Sequence, residues 1–200
     1  MAVGIRAFFD EQTNTVTYLV SDPATKRAAV IDSVLNFEQR SAKVSYRSAD
    51  EVLAAARAEG LTIDWVLETH AHADHLSAAP WFKARTGAKI GIGSNICDVQ
   101  TVFADLFNVP DVSRRGIEFD RLFADGERFT LGSLEVEVMH TPGHTPACIT
   151  YRIEDAVFVG DTLFMPDYGT ARCDFPGGDP RALYRSIRRL LSLPPQTRIF

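Results

Sequence analysis

The run from Ser48 to His75, SADEVLAAARAEGLTIDWVLETHAHADH, constrains the fold more than any other stretch. Its first part reads as a helix. Ser48 and Glu51 have the spacing of a capping box, alanines fill the middle, and Gly60 stops it. IDWVLET follows as an apolar strand. The strand runs into His70, His72, Asp74 and His75, all within six positions. A helix feeding a buried strand argues for an α/β fold. Such folds place their ligands beyond the carboxyl ends of strands, which makes this bend a candidate site.

Desolvating three histidines and an aspartate together is costly without a compensating cation. A bound metal supplies that charge. In extended backbone, residues two apart point the same way, so His70 and His72 are expected to address one ion. Asp74 and His75 would open the next helix and face a neighbouring position. Imidazole and carboxylate donors suit zinc, iron or manganese.

The rest of the chain fits the same class. IRAFF, TVTYLVS and RAAVID read as strands, with SDPATKR as a turn. HLSAAPWFKARTG reads as a helix with Pro80 near its start and Gly87 at its stop, and AKIGIG as a strand. In NICDVQTVFADLFN, Ile96, Val99, Phe103, Leu106 and Phe107 share one helical face, which predicts packing on the core. ERFTLGSLEVEVMHTPGH reads as a hairpin and a loop carrying His140 and His144. ACITYRI and AVFVGDTLF are further strands, the second ending at Gly160 and Asp161. DPRALYRSIRRLLSL is a helix and TRIF begins a strand. This order suits two sheets covered by helices.

Composition limits the function classes. The chain has 200 residues, 46% of them hydrophobic, and a formal net charge of -5. That suits one globular domain over residues 1–200, or one cut short at its C-terminus. No basic patch argues for nucleic acid, and SIRRLL reads as a solvated helix face. No apolar run approaches the roughly 18 residues of a membrane helix, and MAVGIRAFFD lacks a secretory pattern. Cys97, Cys148 and Cys173 are far apart and form no CxxC pair. A reducing compartment, the cytoplasm, is expected.

His70-x-His72-x-Asp74-His75, then His140, then Asp161, in this order, resembles the metallo-β-lactamase superfamily. The resemblance runs from about residue 15 to the end. It implies an αββα sandwich of two mixed β-sheets flanked by helices. A dimetal hydrolase of this superfamily, such as glyoxalase II, needs a further late histidine, and none follows His144 before the chain ends at TRIF. The nearer resemblance is to the bacterial branch of the persulfide (sulfur) dioxygenases. It rests on ETHAHADHLSA, TPGHTPACITY and GDTLFMPDYGTARCDF, and on the insertion DSVLNFEQRSAKVSYRSAD.

That resemblance implies one Fe(II) per chain, held by His70, His140 and Asp161, and oxidation of glutathione persulfide by dioxygen to sulfite and glutathione in sulfide detoxification. His72, Asp74 and His75 would then orient ligands and water. The alternative is a glyoxalase II-like hydrolase of glutathione thioesters with Zn(II), in which those three residues are metal ligands. Arg172 is expected either to hold the substrate carboxylate or to pair with Asp174. Tyr168 is expected to line the pocket, His144 to hydrogen-bond within its loop, and Cys173 to be a bystander. The partners implied are a small persulfide and dioxygen, without nucleic acid or membrane; a homodimer is compatible with this.

Overall fold

A computed structural model describes residues 3–200. Met1 and Ala2, which open MAVGIRAFFD, lie outside the described residues. The chain divides into two compact units. The first takes in the chain up to Glu68, with His72–Gly91 and Thr130–Glu135. The second takes in Thr69–Ala71, Ile92–Phe129 and Val136–Phe200.

In the first unit, β1 (Gly4–Asp10), β2 (Thr15–Ser21) and β3 (Arg27–Ile31) pair antiparallel in succession. β4 (Val34–Glu38) and β5 (Lys43–Ser45) form a hairpin. After α1 (Arg47–Ala58) the chain returns as β6 (Thr62–Leu67), parallel to β3. β7 (Leu76–Ser77) joins β4, and α2 (Ala79–Thr86) leads to β8 (Lys89–Gly93), parallel to β6. Parallel neighbours need crossovers, and the two helices supply them. The strand order β1-β2-β3-β6-β8 puts β3 well inside the sheet. Ala28, Ala29, Val30 and Ile31 have no solvent exposure, and a strand covered on both faces reads as a continuous apolar run.

Two helix starts differ from the sequence expectation. Ser48 does not cap α1; Tyr46 is the N-cap and makes no side-chain cap bond. Ser48 instead donates its backbone N–H to Asn36 Oδ1 at 2.9 Å and its hydroxyl to Asp10 Oδ2 at 2.9 Å. In a capping box the serine hydroxyl would accept a backbone N–H; here it is spent donating to a buried carboxylate supplied by β1. α2 begins at Ala79, later than its histidine-rich approach suggested. Leu76 and Ser77 are committed to pairing with Leu35 and Val34.

In the second unit, α3 (Ile96–Leu106) and β9 (Arg121–Phe123) precede β10 (Arg128–Leu131) and β11 (Leu134–His140), strands whose Thr130–Glu135 stretch is counted with the first unit. β11 pairs antiparallel with β12 (Ile149–Ile153), and β12 with β13 (Ala156–Phe158). A one-turn 3-10 helix, Gly160–Thr162, follows. α4 (Pro180–Leu191) starts at Asp179, whose carboxylate accepts from the backbone N–H of Arg181 and Ala182, and β14 (Arg198–Ile199) lies parallel to β13. The buried face of α3 is shorter than its pattern predicts. Ile96 and Val99 pack with Ile92 and Ala147, and Phe103 packs against that cluster. Leu106 and Phe107 are mostly exposed, because the cluster reaches only the earlier turns. Arg189, part of the basic run expected to be solvated, is engaged: it donates to Asp125 Oδ1 at 2.8 Å and to the His140 carbonyl at 2.9 Å. Among the described residues, no helix is long and apolar enough to cross a membrane.

The turn between β2 and β3 is built on Asp22. Its carboxylate accepts from Thr25 Oγ1 (2.6 Å), the Ser133 N–H and hydroxyl (both 2.7 Å) and the Ala24 N–H (2.9 Å). The Thr25 hydrogen bond, then those of Ser133, hold the Asp22 carboxyl far below the usual carboxylate range. A lowered folded value means the stabilisation is fully present above the unfolded value, near pH 3.9, and is lost as pH falls toward the folded one. Asp22→Asn should therefore melt well below wild type at about pH 7, and the gap should narrow toward about pH 3. Thermal melts across that range check this; a gap that widens in acid would refute it.

Candidate metal centre

β11 ends at His140, and the chain from Thr141 to Cys148 turns back on itself to enter β12. The Thr141 N–H donates to the Cys148 carbonyl at 2.9 Å, and the Gly143 N–H to the Thr145 carbonyl at 3.1 Å. Gly143 has φ 146°, and a Cβ there would lie 2.4 Å from Leu183, so α4 packs directly on this backbone. The His140 ring is spent on closing the loop. Its Nε2–H donates to the Pro146 carbonyl at 2.8 Å, while its N–H donates to Asp125 Oδ1 at 2.7 Å.

His144, within the loop, turns toward His70 and Asp161. It is 6% exposed, and its Nδ1–H donates to the Arg172 carbonyl at 2.8 Å. Its Nε2 lies 3.3 Å from Asp161 Oδ2. His70 Nε2 lies 3.7 Å from the same oxygen. The two imidazoles meet edge to face at 5.1 Å. One donor atom from each of His70, His144 and Asp161 falls within 4.8 Å of the others. The expected trio of His70, His140 and Asp161 is thus replaced at one position. His140 closes the loop, and His144 takes the place beside His70 and Asp161.

This donor set fits a metal ion. With its Nδ1–H given to a carbonyl, a neutral His144 presents the Nε2 lone pair to a carboxylate oxygen. Lone pairs facing one another repel unless a cation lies between them. Two imidazoles and one carboxylate suit zinc or ferrous iron, and as a facial set they leave positions open for other ligands. Asp161 is the open member, with its side chain 36% exposed, whereas His70 is 1% exposed.

The histidine-rich bend supplies two further groups, both within the first unit. His72, Asp74 and His75 form one, and Asp32, Glu68 and His72 the other. His72 Nε2 lies 3.1 Å from Asp32 Oδ1 and 3.3 Å from Glu68 Oε2. Burial opposes charge on His72, but the Asp32 charge, its hydrogen bond and those of Glu68 outweigh burial and hold the imidazolium well above its usual range. Asp32 and Glu68 carried no sequence signal, since each ends an apolar run as one isolated acid. His75 donates Nδ1–H to the Leu76 carbonyl at 3.0 Å. Its Nε2 is buried with no hydrogen-bond partner among the described residues, an atom that a metal would satisfy. Asp74 accepts from the Thr15 hydroxyl at 3.0 Å. His70 and His72 do not share a group, contrary to the strand-alternation expectation. Residues 69–70 and 73–75 form bends and 71–72 are irregular, so the period of two does not extend into them.

The segment after Asp161 carries the remaining candidates. Arg172 grips Asp174 through Nε (2.5 Å) and Nη2 (2.8 Å), so the ion-pair alternative is present in the structure. Its guanidinium also lies over Phe175, at 5.1 Å, and Phe175 meets His144 edge to face at 5.2 Å. Tyr168 is 79% exposed. Burial, then the charges of Asp179 and Asp174, push the Cys173 thiol up, which disfavours a reactive thiolate.

A model of the metallo-beta-lactamase superfamily matches residues 11–200. The chain belongs to that superfamily. Its fold is accordingly the mixed α/β metallo-β-lactamase fold, with mixed sheets and helices. A probable metallo-hydrolase of Burkholderia pseudomallei is 52% identical over 98% of this chain and 70% of its own length. A beta-lactamase hydrolase-like protein of Xylella fastidiosa is 50% identical, but this chain spans only 46% of it. The mitochondrial persulfide dioxygenase ETHE1 of Bos taurus is 29% identical over 98% of this chain and 66% of its own length. Among solved structures, ETHE1 from Myxococcus xanthus superposes with a TM-score of 0.78 at 31% identity, over 98% of this chain and 74% of that one.

Replacing the two loop histidines separates their roles. His144→Ala should fail to retain metal through dialysis, while His140→Ala should retain most of it with a lower melting temperature. Elemental analysis of the purified variants reads this directly. Metal lost only from the His140 variant would reverse the assignment.

Proposed function

We propose that this chain is a persulfide dioxygenase that carries one Fe(II) between His70, His144 and Asp161. The observation carrying the reading is the two-imidazole, one-carboxylate group whose only solvent-facing member is the carboxylate. The likeness to two ETHE1 proteins, one named a persulfide dioxygenase, supports it. The overall reaction joins a persulfide, dioxygen and water to give the thiol and sulfite. Both oxygen atoms of dioxygen end on the outer sulfur, water supplies the third oxygen, and the sulfur–sulfur bond breaks. Ferrous iron, when bound, supplies the redox chemistry that lets dioxygen react with the persulfide sulfur.

The protein's own groups have distinct tasks in this reading. His70 and His144 would hold the ion with buried side chains, and Asp161 with a partly exposed one. Arg172 would recognise a carboxylate such as those of glutathione; in support, its fork binds one, that of Asp174, in the geometry a substrate carboxylate would take over. The Arg172 carbonyl at the same time fixes the His144 ring, so substrate recognition and ligand orientation share one residue. His72, buried beside Asp32 and Glu68, serves as a charged support near the chain bend and not as a ligand of the iron.

A second reading rests on the His72, Asp74 and His75 group, with its buried His75 Nε2. It is a zinc hydrolase of glutathione thioesters, in line with the relative named a probable metallo-hydrolase. Oxygen consumption separates the two. Iron-reconstituted protein given glutathione persulfide should take up dioxygen and release sulfite, and Arg172→Ala should raise KM roughly tenfold with a smaller change in kcat. No uptake by iron-loaded protein, together with thioester cleavage in the absence of oxygen, would replace the first reading with the second.

A further inference from the structure

Thr69 directly precedes the first histidine of the centre. Thr69 and His70 are each 1% exposed. Thr69 Oγ1 lies 2.9 Å from His70 Nδ1. The Thr69 carbonyl accepts from the Ile149 N–H at 2.9 Å, which anchors this backbone to the first residue of β12. Across from it stands Gly160, with φ 50°. A Cβ on residue 160 would lie 2.3 Å from Thr69 Oγ1 and 2.7 Å from Thr69 Cβ. The Thr69 side chain therefore fills the space that a side chain at 160 would need, and the next residue is Asp161.

We infer that Thr69 is a positioning residue: its hydroxyl accepts from Nδ1–H of His70 and so orients and stabilises the ring form whose Nε2 can bind a metal, while its contact with Gly160 sets where Asp161 stands. The inference rests on the His70, His144 and Asp161 centre proposed above. A neutral imidazole carries one N–H. With that proton on Nε2, His70 would donate toward Asp161 and could not ligate through Nε2. With it on Nδ1, the proton goes to Thr69 and the Nε2 lone pair faces Asp161 Oδ2, 3.7 Å away. His144 is fixed in the same form by the Arg172 carbonyl, which can only accept. Thr69 carries a hydroxyl, which can accept or donate; with a metal on Nε2 the ring proton lies on Nδ1, and this hydroxyl then accepts it and holds the ring in place. Partners of this kind orient a ligand ring and raise its basicity, and losing one typically weakens metal binding about 10- to 100-fold.

The test compares Thr69→Val, which keeps the shape and removes the hydroxyl, with Thr69→Ser, which keeps the hydroxyl. Cobalt(II) affinity is measured by competition with a chelator, alongside the visible spectrum of bound cobalt and the melting temperature. The valine variant should bind cobalt about tenfold or more weakly with an altered spectrum, and the serine variant should stay within about threefold of wild type. Wild-type affinity and spectrum in a folded Thr69→Val protein would overturn the inference and leave the metal centre standing. Should that variant not fold, long-range proton–nitrogen correlation spectra of zinc-loaded wild type decide: Nδ1 protonated with Nε2 on the metal supports the inference, and Nε2 protonated overturns it. Cobalt binding that is absent in wild type, or unchanged in His70→Ala, would remove the centre itself and the inference with it.

Discussion

Acceptor atoms directed at one another are unfavourable by themselves, and the second unit is arranged to hold such a set together. Two histidine nitrogens and one carboxylate oxygen meet within 4.8 Å. What holds each in place is local and covalently distant from the others. His70 follows a backbone tied to β12, His144 sits in a loop closed by the His140 ring and packed on α4, and Asp161 rides a 3-10 turn that begins at Gly160. Thr162, next to Asp161, is fully buried and donates to Thr141 Oγ1 at 3.2 Å, which ties that turn to the start of the histidine loop. A preorganised ligand set of this kind lets binding free energy go to the ion and not to ordering the chain.

The first unit handles its buried charge differently. Here His72 has two carboxylates for neighbours, and Glu68 is itself held by the Ser77 hydroxyl at 2.5 Å. A buried imidazolium between two carboxylates recovers much of its desolvation cost through close opposite charge. The same sequence bend thus gives its histidines unlike surroundings. His70 faces another imidazole and one open carboxylate; His72 faces two enclosed ones.

In the proposed reading, the loop after Asp161 would link recognition with ligand geometry. Arg172 uses its side chain on Asp174 and its carbonyl on His144, and Phe175 packs against both the guanidinium and the histidine ring. Any displacement of Asp174 by a substrate carboxylate would act on a residue whose backbone holds a ligand of the centre.

Much of this was legible in the sequence. The apolar runs from β1 to β3, the β6 strand, the α4 helix and the importance of the histidine bend follow from composition and spacing, because burial demands continuous apolar strands and amphipathic helices. Asp161 closes a hydrophobic strand, as Asp32 and Glu68 do, and it was its place in the order after the histidine bend and His140 that made it visible. What the sequence left undecided were choices between near neighbours. His140 and His144 lie four residues apart in one loop, and only the fold shows that the first ring closes the loop while the second faces Asp161. Ser48 has the spacing of a helix cap, yet Asp10 and Asn36, more than ten residues away, claim it. Asp32 and Glu68 gave no pattern at all, since their meaning comes from packing against His72. Spacing along a chain fixes which residues can come near one another; the loop closures and buried hydrogen bonds of the tertiary structure decide which atom each side chain finally faces.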